Sequence, residues 1–270
     1  MRFYAVRRRA ARRFMAGPDL ADALRREQEL RRQGLETAIG YWNGGNENPD
    51  AVAATYCAAV DALADRPDVQ YSIKATALDL DAGRIDALAE RARQAGVPLH
   101  FDSLAPEAAT SLLEAAVRTG GGVTLPGRWS RSPADAERLA SGELPVRVIK
   151  GQWPDPAAPR LDPREGYLAV IDRLAGRRGR VAVATHDGPL AGAALSRLRA
   201  AGTPCELQLL LGLPKDRSLA AARKAGVSTR VYVSYGVPYL PYGLRGVLRH
   251  PSFILRLCAG LLSASTPKAF

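Results

Sequence analysis

The chain has 270 residues, of which 47% are hydrophobic and 24% are charged, and its formal net charge is +11. This is the composition of a globular protein with a large apolar core, and no apolar run approaches the roughly 18 residues of a membrane-spanning helix. Cys57, Cys205 and Cys258 are scattered without a CxxC pair, which argues against a disulfide scaffold or a thiolate zinc site and favours a reducing compartment.

In chain order, the first segment, residues 1–34, is predicted to be a helical lead-in. Its start is basic and lacks an apolar segment, so we expect no secretory signal. Eight short runs of apolar and β-branched residues follow at intervals of roughly 24 to 35 residues, the size of a strand–helix repeat. We predict strands at 35–42, 69–75, 97–102, 122–125, 146–151, 181–186, 206–211 and 229–234.

Segments rich in alanine and leucine lie between these runs with helical spacing. We predict helices at 49–64, 86–94, 106–118, 164–174, 190–199 and 219–224. Ser132 and Asp162 each precede a proline and are predicted N-caps, because proline suits the first position of a helix. Glycines stand where three helices should end, at Gly176, Gly202 and Gly226.

Eight units with the strand before the helix predict an α/β fold, a (β/α)8 TIM-type barrel, rather than an open sheet. No G-x-G-x-x-G motif follows a strand, so the sequence gives no support to a dinucleotide-binding open sheet. No long polar linker divides the chain. We therefore predict a single domain, with residues 1–34 as the N-terminal lead-in helix and residues 35–270 as the barrel.

Barrel enzymes carry their active sites where the strands end, so polar residues there are the first candidates. They are Lys74, His100, Asp102, Arg147, Lys150, Thr185, His186, Asp187, Glu206, Gln208, Arg230, Tyr232 and Ser234. One chemistry would use His100, Asp102 and His186 as metal ligands, but the chain has only three histidines. A buried histidine bonded to the backbone explains His100 more simply, and we expect no metal site.

The other chemistry is the binding of anionic groups by four cations, Lys74, Arg147, Lys150 and Arg245. Four cations at one barrel mouth suit a ligand with a carboxylate together with a polyphosphate cofactor. The alternative is that each cation is paired within the protein, because a buried unpaired charge is costly. The partners available for such pairing are Asp102, Asp187 and Glu206.

Arginine supplies most of the positive charge, and apart from a cluster in residues 2–13 the arginines are spread along the chain. Arginine chosen over lysine on solvated faces explains this pattern best, and attraction to anionic lipid or nucleic acid is the alternative. Neither a basic stripe interleaved with aromatic residues nor a zinc finger is present in the sequence. We therefore expect no nucleic-acid partner.

Five strand-end motifs occur in an order and at intervals that resemble a known family. They are 71–78 (YSIKATAL), 146–151 (VRVIKG), 184–187 (ATHD), 206–212 (ELQLLLG) and 230–236 (RVYVSYG). Together with residues 11–17 (ARRFMAG), they resemble the proline dehydrogenase family over essentially the full chain. The resemblance implies a (β/α)8 barrel that binds FAD and oxidises L-proline to 1-pyrroline-5-carboxylate by hydride transfer to the flavin N5.

The resemblance also implies roles for the matching residues. Lys74 and Arg245 would hold the substrate carboxylate, and Tyr232 and Tyr242 would wall the substrate ring. The catalytic residues would be Asp102, near Lys74, and Arg147, near the flavin N5, where a positive charge stabilises the reduced ring. The residues implied to contact FAD are Ser103, Arg147, Lys150, Gly151, Gln152, Thr185, His186 and Gln208.

The chain departs from the family pattern at several positions. After Arg245 the family has a second arginine where this chain has Gly246, and Arg249 replaces a family glutamate. Loss of one arm of a carboxylate clamp removes a contact of about 1.5–3 kcal/mol, which Arg249 could replace from one helical turn away. Pro126 stands where the family offers a glutamine to the flavin, and Trp153 stands where it has tyrosine or a small residue.

The resemblance implies L-proline as substrate and a quinone-type electron acceptor. Because Gly246 weakens the clamp and opens space, one alternative is a flavin oxidoreductase acting on a proline derivative or related cyclic amine. A catalytically silent barrel of the same fold is the other alternative. We expect a cytoplasmic protein whose basic N-terminal cluster is compatible with contact to the inner face of the membrane.

Overall fold

The computed structural model describes residues 14–44, 47–64, 66 and 68–237, in which strands and helices alternate. The strands are β1 (Met15–Gly17), β2 (Glu36–Trp42), β3 (Gln70–Ile73), β4 (Leu99–Phe101), β5 (Gly122–Pro126), β6 (Val146–Ile149), β7 (Val181–Ala184), β8 (Cys205–Leu210) and β9 (Thr229–Gly236). The helices are α1 (Leu20–Arg31), α2 (Pro49–Ala62), α3 (Ala82–Gln94), α4 (Ala109–Thr119), α5 (Ser132–Leu139), α6 (Pro163–Leu174), α7 (Gly188–Ala200) and α8 (Asp216–Ala225). Short 3-10 turns occupy Ala75–Leu78 and Pro106–Ala108.

Strands β2 to β9 form a closed parallel barrel. Each strand pairs with the next along the chain, and β9 pairs with both β8 and β2, which closes the ring. The predicted (β/α)8 barrel is therefore confirmed, and all eight predicted strands are present. Several strands end earlier than predicted, because the residues that follow them turn into the loops of the barrel mouth.

A short strand, which was not predicted from the sequence, precedes the lead-in helix α1. In β1, Met15 lies opposite Ser234 and Gly17 lies opposite Tyr235, both on β9. Strand β2 pairs with the other edge of β9 as far as Gly236, so β1 lies along the edge that β8 leaves free. Residues 15–17 thus belong to the barrel wall, and the division into 1–34 and 35–270 stays a prediction.

Local signals account for where the helices begin and end. The Asp162 carboxylate caps α6 by accepting two backbone N–H groups of its first turn, at 2.6 and 3.1 Å. Gly226 follows α8 with a φ of +65°, in the left-handed region that glycine favours. Ser132 differs from the prediction, because it is the first helical residue of α5 and its hydroxyl donates to the Pro126 carbonyl at 2.7 Å.

Side chains alternate between the two faces of the barrel wall. On β6, Val146 and Val148 join the apolar cluster that includes residues from the surrounding helices, whereas Arg147 reaches Gln70 on β3. Because β3 and β6 are not neighbours in the sheet, that contact crosses the barrel interior. The interior therefore holds a hydrogen-bonded polar layer, which opens at the carboxyl ends of the strands.

Candidate active site

Arg147 lies at the centre of a hydrogen-bonded cluster inside the barrel, with a side chain that is only 6% exposed. Its Nε donates to Oε1 of Gln208 at 2.6 Å, and its Nη1 donates to Oδ1 of Asp102 at 2.6 Å. Its Nη2 donates to Oε1 of Gln70 at 2.9 Å and to Oγ of Ser72 at 3.0 Å. Bonds in several directions fix the plane of the guanidinium.

Asp102 joins Arg147 to Tyr232. The Tyr232 hydroxyl donates to Oδ2 of Asp102 at 2.9 Å, and the Arg147 guanidinium carbon lies 5.5 Å from the centre of the Tyr232 ring. Burial, and after it the Asp102 charge, raises the pKa of Tyr232 well above its ordinary value of 10.0, so the hydroxyl stays a donor. The Tyr232 side chain fits because residue 40 on β2 is glycine: a Cβ at Gly40 would lie 2.0 Å from the Tyr232 hydroxyl oxygen.

Lys74 follows β3 and is buried beside this cluster. Its ammonium donates to the backbone carbonyl of Tyr41, and the nearby Asp102 charge favours the protonated form. Burial has the larger effect and lowers the pKa of Lys74 from 10.5 to about 8. The side chain therefore still carries a positive charge near neutral pH, as binding of a carboxylate requires.

The loops after β5, β6 and β7 form the outer part of the mouth. Lys150 places its Nζ 3.7 Å from Oδ2 of Asp187, and Arg164 pairs with the same carboxylate. Gly151 has a φ of +90°, and a Cβ there would lie 2.9 Å from Cβ of Pro126. Glycine is therefore required for the two loops to lie this close.

Further bonds hold the loop after β5 against the loop after β6. The Trp129 Nε1 donates to the Trp153 carbonyl at 3.1 Å, and Arg128 reaches the Gln152 carbonyl at 3.5 Å. Asp155 accepts an amide and a hydroxyl from the neighbouring loop at 2.9 and 2.7 Å. Trp153 itself is 49% exposed at the mouth.

Three residues predicted to contact FAD form hydrogen bonds to other groups of the protein through their side chains. Gln208 bonds to Arg147 on one side and to Glu206 on the other, and the Ser103 hydroxyl donates to the Thr124 carbonyl at 2.5 Å. The Thr185 hydroxyl oxygen accepts an amide N–H at 3.2 Å, which leaves its proton available to donate. Their contacts with the cofactor stay predictions.

His186 joins the loops after β7 and β8. Its Nδ1 donates to the Pro214 carbonyl at 2.8 Å, and its Nε2 accepts the backbone N–H of Leu210 at 2.9 Å. Burial, and to a lesser extent the Lys150 charge, lowers its pKa. His186 is thus a neutral ring with both nitrogens engaged, so a predicted contact with FAD would involve its ring atoms.

The three side chains considered as metal ligands do not meet. His100 lies inside the barrel, bonded to Gln70 at 3.3 Å and to Thr124 at 3.0 Å. Its partners are side chains rather than the backbone group that we predicted. Among the residues that the structure describes, no group of three or more His, Cys, Asp or Glu side chains is arranged to hold a metal ion.

Gln70 and Ser72 are the functional candidates that the sequence analysis missed. Both bond to Arg147, and both lie on the interior face of β3. The signal that could have found them is the alternation of polar residues at Gln70, Ser72 and Lys74, which places all three on one face.

Some predicted residues lie outside the described part of the chain. They are Tyr242 and Arg245 of the implied substrate site, the departures Gly246 and Arg249, and Cys258. The basic cluster in residues 2–13 lies outside it as well. The roles of these residues stay predictions.

Comparison with known proteins agrees with the sequence motifs. No protein-family model matches the chain. It is 25% identical to proline dehydrogenase 1 of Bacillus subtilis subsp. natto and 24% identical to that of strain 168, over 279 aligned residues in each case. Each alignment covers 94% of this chain and 91% of the relative. The resemblance to proline dehydrogenases is confirmed.

Solved structures share the barrel fold. Proline utilization A from Bdellovibrio bacteriovorus, inactivated by N-propargylglycine, matches 96% of this chain with a TM-score of 0.71 and 16% identity. Proline utilization A from Corynebacterium freiburgense matches 94% with a TM-score of 0.64 and 16% identity. This chain spans about a third of the length of those proteins, 33% and 31%, but nearly the whole length of the proline dehydrogenases named above.

Proposed function

We propose that this protein is a flavin-dependent oxidoreductase that oxidises L-proline to 1-pyrroline-5-carboxylate. The observation that carries the proposal is the cluster of Arg147, Asp102 and Tyr232 beside the buried Lys74, inside a barrel that resembles proline dehydrogenases. Two buried cations around one carboxylate suit a small zwitterionic substrate, because each end of such a molecule finds an opposite charge.

The residues of the mouth fit FAD as the cofactor. Lys150 and Arg164 share the single carboxylate of Asp187, so this group keeps a net positive charge that suits a pyrophosphate. Deeper in the barrel, Arg147 would supply the positive charge that stabilises an electron-rich reduced flavin ring. When bound, the flavin would supply the hydride acceptor, and Gly151 allows the loop after β6 to lie against the loop after β5 at this mouth.

The side chains then divide the remaining work. Lys74 binds the substrate carboxylate while its ammonium is protonated, which its pKa of about 8 allows near neutral pH. Asp102, fixed by Arg147 and Tyr232, presents a carboxylate to the substrate amine. The amine must be neutral before the carbon–nitrogen double bond forms, so it gives up a proton, for which the Asp102 carboxylate is the acceptor at hand, and the nearby cations favour that loss. In this proposal Tyr242 and Arg245 complete the substrate site.

A second candidate is a flavin oxidoreductase acting on a proline derivative or a related cyclic amine. It is favoured by Gly246, which replaces one arginine of the carboxylate clamp in the family pattern. At the implied flavin site, Pro126 ends β5 with no amide to offer, and its carbonyl accepts the Ser132 hydroxyl. Gly246 bears on substrate choice and Pro126 on the implied flavin site, and neither departure removes a cation of the described cluster.

Purification and a dye-reduction assay test the proposal. We expect a yellow protein that releases FAD on denaturation and reduces a dye faster with L-proline than with pyrrolidine, hydroxyproline or proline esters. Preference for an ester or pyrrolidine would select the second candidate, and a colourless protein without flavin would overturn both. Arg147→Met should lower turnover and the flavin potential, and Arg245→Met should raise KM for a carboxylate substrate at least about tenfold.

The electron acceptor and location also belong to the proposal. Among the helices of the described residues, none combines the length and apolarity needed to cross a membrane. We propose a quinone-type acceptor, reached from a membrane surface that residues 2–13 contact through their arginines. Sedimentation with anionic vesicles tests this contact, and equal sedimentation with neutral vesicles would contradict it.

A further inference from the structure

His100 is a buried histidine inside the barrel to which the proposed function gives no task. It lies on β4 and is only 1% exposed. Burial, and then the positive charges of Arg147 and Arg230, holds the pKa of His100 well below 6.5. The ring is therefore neutral, and one of its nitrogens carries a proton while the other accepts.

The neighbours of Gln70 decide which nitrogen accepts. Arg147 Nη2 donates to Gln70 at 2.9 Å, and because a guanidinium has no acceptor, the amide oxygen of Gln70 must face it. The amide nitrogen then faces Nδ1 of His100 at 3.3 Å. An amide nitrogen only donates, so Nδ1 is the unprotonated nitrogen of the ring.

The other side of the ring agrees with this assignment. The proton must lie on Nε2, which is 3.0 Å from the hydroxyl oxygen of Thr124 and donates to it. Gly122, opposite His100 on β5, leaves space for the ring, because a Cβ there would lie 2.3 Å from Nδ1. The position and the tautomer of His100 are thus both fixed by neighbouring strands.

These bonds give His100 an effect on Arg147. With the acceptor at Nδ1, the Gln70 amide has one favourable orientation, and its oxygen faces the guanidinium. Without that acceptor the amide keeps only its bond to Arg147, so the oxygen that accepts from Nη2 is held less firmly and Arg147 loses part of its support. We propose that His100 is a positioning residue that fixes the Arg147 guanidinium through Gln70.

Three substitutions separate this role from simple packing. His100→Asn keeps an acceptor near Nδ1, His100→Gln keeps a polar group near Nε2 only, and His100→Leu keeps neither. We expect kcat with L-proline to fall about tenfold in the Gln and Leu variants, the equivalent of about one hydrogen bond, with KM within about twofold of wild type. The flavin potential should fall in both, and His100→Asn should restore kcat and potential. Equal impairment of the Asn and Gln variants would overturn the proposal.

A second measurement does not depend on flavin or turnover. The chain has three histidines, so selective ¹⁵N-histidine labelling resolves their tautomers by NMR in the protein free of cofactor. We expect His100 as the Nε2–H tautomer and His186 as the Nδ1–H tautomer. Gln70→Leu should change the ¹⁵N chemical shift of Nδ1 in His100 and leave the other histidines unchanged. An Nδ1–H tautomer at His100 would overturn the proposal that His100 positions Arg147 through Gln70. The kinetic experiment rests on the proposed function, and wild-type protein without proline turnover would refute that function. The tautomer of His100 and its response to Gln70→Leu would then test the positioning role separately.

Discussion

We expect the buried charge of Lys74, which is proposed to bind the substrate carboxylate, to lower the free energy of unfolding. Burial lowers its pKa from 10.5 to about 8, and each pKa unit corresponds to about 1.4 kcal/mol, so the buried charge costs about 3 kcal/mol near pH 7. Lys74→Met keeps most of the side-chain length and removes the charge, but it also loses the bond to the Tyr41 carbonyl, worth about 1 kcal/mol. We therefore expect the free energy of unfolding to rise by about 2 kcal/mol at pH 7.

The pH dependence identifies the cause. Because the pKa of Lys74 is lower in the folded state, the unfolded chain binds more protons between about pH 8 and pH 10.5, and wild-type stability from this group rises with pH across that window. The methionine variant lacks this term. Its advantage over wild type should be complete below about pH 8, and near pH 10.5 it should be replaced by a deficit of about 1 kcal/mol from the lost bond to the Tyr41 carbonyl.

Urea unfolding followed by circular dichroism at pH 7, 9 and 10.5 measures both effects. Lys224→Met, an exposed lysine on α8, is the matched control and should leave stability unchanged at every pH. A Lys74→Met protein that is less stable at pH 7, or whose advantage does not change with pH, would refute burial as the dominant influence on Lys74. In the dye assay, the same variant should raise KM for L-proline.

Three further substitutions test other contacts. Gly40→Ala would bring a Cβ to 2.0 Å from the Tyr232 hydroxyl oxygen, so we expect a loss of about 1–3 kcal/mol in urea unfolding; an unchanged midpoint would mean that Tyr232 can move aside freely. Arg230→Met removes the cation 2.8 Å from the buried Glu206 carboxylate, which keeps Arg180 at 3.0 Å, and should cost about 1–3 kcal/mol; Glu206→Leu in the same chain should recover most of this, and no recovery would contradict an ionic cause. Asp162→Ala should cost about 1 kcal/mol and speed amide hydrogen exchange in the first turn of α6, and unaltered exchange would exclude a capping role.

The barrel strands could be predicted because each carries a short apolar pattern that repeats with the strand–helix period. Strand β1 could not, because three residues are too few to show an alternation, and its extended form depends on pairing with β9. Ser132 was misplaced by one position for a similar reason. Its hydroxyl bonds to the Pro126 carbonyl, a partner that the folded loop supplies.

Only part of the candidate site could be predicted from the sequence. Polar residues at the predicted strand ends included Lys74, Asp102 and Arg147. Gln70 and Ser72 lie across the barrel from Arg147, on a strand that is not its neighbour. Strand order in a closed barrel does not reveal which interior side chains meet across it. His186 was predicted to contact FAD, and its two bonds depend on where the loop after β8 places its backbone.

The pairing of β1 with β9 has a consequence for synthesis of the protein. The hydroxyl of Ser234 donates to the carbonyl of Phe14 across a separation of 220 residues, so neither this contact nor the ring of strands can form before β9 leaves the ribosome. Until then β2 and the growing end of the sheet both expose unpaired edges, on which a nascent chain is prone to wrong association. Chaperone demand during translation should therefore last until β9 emerges.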